Sequence, residues 1–63
     1  MQIKIDYQAM VDANTRIAEF HVDLARQYLN AGDIHMFFYH RGLAETAIEA
    51  NLKLIPKMLE EAL

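Results

Sequence analysis

Three histidines, His21, His35 and His40, are the side chains of this chain best suited to chemistry, because imidazole binds metals and transfers protons near neutral pH. His35 and His40 are five residues apart, which separates them by about 140° on a helix. Neither lies three or four residues from a carboxylate, the spacing that a helical ligand pair needs. The chain has no Cys that could act as a nucleophile. We therefore expect no metal, no cofactor and no catalytic site.

His21 is interpreted as a residue at the edge of a core. We expect it to face the small Ala44 and to bond to Asn14, to a backbone carbonyl or to a second chain. Because histidine changes charge between pH 5 and 8, assembly through His21 would then depend on pH.

Two asparagines are expected to form a polar layer. If the chain folds back on itself at Gly32, residues whose numbers sum to about 65 lie opposite one another on two antiparallel helices. This rule pairs Asn14 with Asn51 and Ile17 with Ile48. A bonded pair of buried amides fixes register and the number of chains in a bundle. The alternative is that one or both amides face water at a bundle end.

A second group of residues has the composition of a protein interface. Phe38, Tyr39, Arg41 and Glu45 combine aromatic, guanidinium and acidic side chains, which are enriched where proteins meet. The alternatives are a core position for Phe38, a solvated rim for the others, and a simple intrahelical pair for Arg41 with Glu45. The residues expected at an interface are thus Asn14, Ile17, His21, Phe38, Tyr39, Arg41, Glu45 and Asn51.

The elements that position these residues follow from one turn. Gly32 is able to close a helix in the left-handed conformation, and Asp33 is able to cap the next one. Asp6 is a second N-cap, and Pro56 interrupts the hydrogen bonding of a helix. The sequence predicts a single domain with an extended arm at 1–5, helix 1 at 6–31, helix 2 at 33–55 and a short helical segment at 56–63 that bends at Pro56.

Helix 1 has more apolar surface than one neighbour covers. Its apolar residues occupy an arc of about 200°, whereas contact with one helix needs only about 100°. A chain of 63 residues also lies below the size at which one core supports a fold reliably. The predicted fold is therefore all-α: an antiparallel two-helix hairpin that dimerises into a four-helix bundle.

Composition limits the partners. The net charge of -3 opposes binding to a polyanion, and no apolar run is long enough to cross a membrane. We expect an entire small acidic gene product in the cytoplasm that binds itself and an unidentified protein, without enzymatic activity. Small size alone suggests a modulator of a host protein, encoded by a virus or mobile element. The alternatives are a structural subunit of a larger assembly and a nucleic-acid regulator that gathers Arg16, Arg26, Arg41, Lys53 and Lys57 from two chains.

Overall fold

The computed structural model describes residues 4–63 as two antiparallel helices. Helix α1 comprises Tyr7–Asn30 and helix α2 comprises Ile34–Ala62. The hairpin is long and thin, with Cα extents of 51 × 19 × 14 Å. The predicted helical hairpin is therefore confirmed. Most of the predicted arm, residues 1–3, lies outside the described residues.

Local chemistry sets the start of both helices. The Asp6 carboxylate accepts a hydrogen bond from the Ala9 N–H at 3.0 Å, and the Asp33 carboxylate accepts one from the Met36 N–H at 3.1 Å. Each satisfies a donor that the first helical turn leaves without an intrahelical acceptor. Both aspartates are thus the N-caps that the sequence predicts.

The turn between the helices is a Schellman motif. Gly32 has φ of 80°, in the left-handed region. Its N–H donates to the Leu29 carbonyl at 3.0 Å, and the Asp33 N–H donates to the Tyr28 carbonyl at 2.8 Å. These two bonds satisfy carbonyls at the end of α1 and reverse the chain within three residues.

Helix α2 continues through Pro56 to Ala62, whereas the sequence predicts a division after Ile55. Pro56 has no N–H, so the Leu52 carbonyl lacks its intrahelical donor. Residues beyond Pro56 still find apolar contacts, because Met58 is half-buried and borders a hollow with Ile5 and Tyr7 at the open end of the hairpin. Packing after the proline therefore favours continuing the helix. The bend at Pro56 stays a prediction.

The centre of the hairpin is made of alanine. Ala18, Ala25, Ala44 and Ala47 are the buried residues among 4–63, and none of the larger side chains there is fully buried. Each buried methyl group contributes roughly 0.8 kcal/mol, so the four supply only about 3 kcal/mol. This alanine seam brings the helices together but buries little apolar surface.

The seam follows a heptad spacing, with steps of three and four residues on both helices. All of its members are buried or half-buried: Val11, Asn14, Ala18, His21, Ala25 and Tyr28 on α1, and Phe37, His40, Ala44, Ala47, Asn51, Leu54 and Met58 on α2. The hairpin is therefore an antiparallel coiled coil within one chain.

Substitutions at the two glycines test the conformation of the backbone in helix α2 and in the turn. Gly42 lies inside α2, and a Cβ added there meets no heavy atom within 4 Å. We expect Gly42→Ala to raise the free energy of unfolding by about 0.5–1 kcal/mol, because alanine is the better helix former. Gly32→Ala should lower it by about 1–2 kcal/mol, because Gly32 has positive φ. Urea denaturation followed by circular dichroism measures both. Equal effects of the same sign would contradict the turn geometry.

Candidate functional site

A pair of histidines joins the two helices. The Nδ1 atoms of His21 and His40 are 2.8 Å apart, a hydrogen-bond distance. The ring centroids are 5.1 Å apart with 20° between the ring planes. Because the centroids are much farther apart than the Nδ1 atoms, the rings lie side by side in nearly one plane, each aiming Nδ1 at the other. In the hydrogen bond of this histidine pair, one ring donates its Nδ1–H and the other accepts at Nδ1, and the tautomers decide which ring donates.

Aromatic rings surround the histidine pair. Tyr28 lies parallel to His40 with centroids 5.4 Å apart, while Phe20 meets the His21 ring edge-on at 5.2 Å. Tyr39 meets His40 edge-on at 5.1 Å. These offset and edge-to-face arrangements are favourable for aromatic rings. They hold the two imidazoles in the orientation that the shared hydrogen bond needs.

Within the hairpin, His21 bonds to His40 and not to Asn14 or to a backbone carbonyl as predicted. A bond from His21 to a second chain stays a prediction. The rule that placed Ala44 opposite His21 named a single residue, but a residue of a coiled coil packs into a hole formed by four. His40 lies one turn from Ala44 and also has seam spacing, which is the signal in the sequence that could have found it. Within residues 4–63, no group of three metal-ligating side chains forms around the pair.

Asn51 joins the helices in a different way from that predicted. Its Nδ2 donates to the Thr15 hydroxyl at 3.1 Å and lies 3.3 Å from the Val11 carbonyl. Its Oδ1 is buried and has no donor among the described residues. The expected Asn14–Asn51 pair is therefore wrong, because Asn51 bonds to the residues three before and one after Asn14 and so to the neighbouring positions of α1.

One surface of the hairpin, which we call the back face, lies beside Asn14. It is lined by Asn14, Ile17, His21, Leu43, Thr46, Ala47 and Ala50, and none of these residues has a formal charge when His21 is neutral. Ile17 is 47% exposed. Three of the residues expected at an interface, Asn14, Ile17 and His21, are thus brought together on an uncharged surface.

The opposite surface, the front face, forms a groove between the helices. Its central part is lined by Thr15, Ala18, Glu19, Val22, Asp23, Ile48, Asn51, Leu52 and Ile55. Val22 also borders a second hollow, nearer the turn, with Ala25, Arg26, Leu29, Phe37 and Arg41. Consecutive helical residues lie about 100° apart, so the seam residues His21 and Ala47 border the back face, whereas their neighbours Val22 and Ile48 line the front face. The predicted contact of Ile17 with Ile48 is therefore wrong, since they line different faces.

The remaining expected residues are divided between these surfaces. Arg41 borders the front face, and its Nε lies 3.1 Å from Oε1 of Glu45, with both side chains 57% exposed. This intrahelical pair is one of the alternatives that the sequence left open. Phe38 and Tyr39 are exposed, with Phe38 beside Phe37 and Tyr39 against His40. The aromatic, guanidinium and acidic group is therefore divided: Tyr39 adjoins the histidine pair through His40, whereas Arg41 borders the front face.

No family model, curated protein or solved structure matches the chain. Its candidate sites therefore depend on its own geometry. Neither α1 nor α2, within residues 4–63, is apolar enough over sufficient length to cross a lipid bilayer. Two of the five cations needed by the nucleic-acid alternative already lie near carboxylates, Arg26 at 3.9 Å from Asp23 and Arg41 at 3.1 Å from Glu45. Among the described residues, the two faces and the histidine pair are the candidate sites for function.

The hydrogen bond of the histidine pair predicts an energetic coupling between the two helices. We expect a double-mutant cycle of His21→Leu and His40→Leu to give a coupling of about 1 kcal/mol, because either single substitution leaves the remaining ring without its hydrogen-bond partner. Urea denaturation of the four proteins at one chain concentration measures the free energies of unfolding. Additive effects of the two substitutions would mean that the rings do not stabilise the hairpin as a pair.

Proposed function

We propose that this protein is a non-enzymatic protein-binding module that acts as a homodimer of helical hairpins. Two copies form a four-helix bundle through their back faces, and each presents its front face to another protein. The absence of Cys, which suits a reducing compartment, favours a cytoplasmic location in this proposal.

The observation behind the proposal is the large accessible surface of the hairpin. The chain exposes 5121 Å². A folded monomer of 7.3 kDa is expected to expose roughly 4,200 Å². The difference of several hundred square ångströms is of the same order as the ~800 Å² that each partner buries in a standard interface. A second copy would remove about this amount of surface from water.

The distribution of charge favours the back face as the surface between copies. A twofold interface places a patch against its own copy, so a charge near the axis meets a like charge. The residues that line the back face are uncharged with neutral His21. The front face includes Glu19, Asp23, Arg26 and Arg41 in or beside its groove. Self-association is therefore less opposed on the back face.

The exposed apolar side chains of the front face support the second part of the proposal. Leu52 is 65% exposed and Ile48 is 47% exposed. With the back face covered, these residues still form an apolar groove rimmed by charged groups, which is the composition of a protein-binding surface.

Two matched substitutions test which face joins the copies. Ile17 on the back face and Leu52 on the front face are both exposed in the single hairpin, so replacing either with Glu leaves the seam intact. We expect Ile17→Glu to weaken dimerisation at least about 100-fold, because association would bury a carboxylate. Leu52→Glu should leave the dimer unchanged. Analytical ultracentrifugation measures the masses, and circular dichroism checks that both variants stay helical.

Three results would contradict the proposal. A wild-type chain that is monomeric at millimolar concentration would exclude the homodimer. Dissociation by Leu52→Glu but not by Ile17→Glu would mean that the copies meet through the front face. A wild-type mass that rises beyond two chains with concentration would favour the structural subunit of a larger assembly.

A further inference from the structure

The groove of the front face has the dimensions of a site for a helix. Its lining runs along α1 from Thr15 to Leu29, a distance of about 21 Å at 1.5 Å per residue. On α2 its walls include Ile48, Leu52 and Ile55. The seam residues Ala18 and Ala25, which also line it, are too small to fill the space between the helices. A helix of about 14 residues laid along this groove would match its length.

The charged side chains in and beside the groove have a net charge of -1: two guanidinium groups (Arg26 and Arg41) against three carboxylates (Glu19, Asp23 and Glu45). Arg26 lies near Asp23, and Arg41 pairs with Glu45, so both cations of the rim already have carboxylate neighbours. Glu19 lines the groove and makes no ion pair within residues 4–63. The whole chain has a net charge of -3. The groove and the whole chain are thus both net negative, which favours a basic occupant.

We propose that the front groove binds an amphipathic α-helix of another protein, in which lysine or arginine flanks the apolar stripe. This inference depends on the proposed function, in which a second copy covers the back face and leaves the front face open. Apolar residues of the ligand helix at i, i+3, i+4 and i+7 contact Val22, Ile48 and Leu52. Its basic residues lie beside Glu19.

A set of synthetic helices tests the groove directly. The first peptide has 15 residues, with a leucine stripe flanked by lysines on an alanine background. The second has every lysine replaced by glutamate, and the third is a scrambled sequence that lacks the stripe. Fluorescence anisotropy at low salt measures the affinity of each for the wild-type protein. We expect the lysine peptide to bind about tenfold more tightly than the glutamate peptide and the scrambled peptide to bind more weakly than both.

Variants of the protein locate the binding and the charge preference. Leu52→Glu should weaken binding of the lysine peptide at least about tenfold by placing a carboxylate in the apolar wall. Glu19→Gln should reduce the preference for lysine over glutamate by about two- to fivefold. Glu60→Gln makes the same change of charge near the C-terminal end of α2, away from the groove, and should leave the preference unchanged.

The outcomes separate this inference from the proposed function. A stable dimer that binds the two striped peptides equally, or binds neither, would overturn the basic-helix proposal while leaving the homodimer in place. Binding that survives Leu52→Glu would place the ligand elsewhere. If added peptide dissociates the wild-type dimer, the groove is occupied by the second copy, and both proposals about the front face fail. A monomeric wild-type chain would contradict the proposed function itself.

Discussion

The small size of the alanines between the helices determines the shape of the whole molecule. Where Ala18, Ala25, Ala44 and Ala47 meet, the helix axes are able to approach to the short end of the 8–10 Å range typical of packed helices. Where the alanines lie there is no room between the helices for larger side chains, and the large apolar residues of these turns lie along the two edges of the hairpin instead. The hairpin is therefore a layer 14 Å thin in its shortest dimension, with apolar residues on both sides. The exposed apolar surface that motivates the proposed homodimer follows from this close approach of the helices.

A seam of alanines alone would not fix one register, because successive layers of methyl groups are nearly equivalent. The polar contacts supply the missing specificity. The His21–His40 hydrogen bond and the bonds of Asn51 to Thr15 and Val11 connect particular positions of the two helices. Sliding one helix by a turn would break both sets and leave half-buried polar atoms without partners, which costs about 1–3 kcal/mol for each. The polar contacts therefore fix the register of the two helices, and the alanines allow the short distance between the helix axes.

The parts of the fold that local chemistry determines could be predicted from the sequence, and the parts that depend on which side chains meet could not. Asp6, Gly32 and Asp33 act within a few residues of themselves, so their roles as caps and turn were predicted correctly. The partner of Asn51 depends on how a side chain fits among four residues of the facing helix, and counting residues from the turn cannot resolve that choice. For the same reason, counting residues from the turn does not identify His40 as the partner of His21, although the spacing of His40 places it in the seam. The 3.6-residue wheel showed the apolar arc of α1 but not that alanine would occupy its centre.

Because the hairpin buries so little by itself, its folding and its associations are thermodynamically linked. A ligand or second copy that binds only the folded chain stabilises it by RT ln(1 + [L]/Kd), about 2.7 kcal/mol at a hundredfold excess over Kd. This stabilisation is comparable to the roughly 3 kcal/mol that the four buried methyl groups contribute to the folded hairpin. In the proposed assembly, a second copy on the back face would stabilise the arrangement of α1 and α2 that forms the front groove. A ligand in the groove would stabilise the same folded hairpin, so each binding event would strengthen the other by favouring the folded chain.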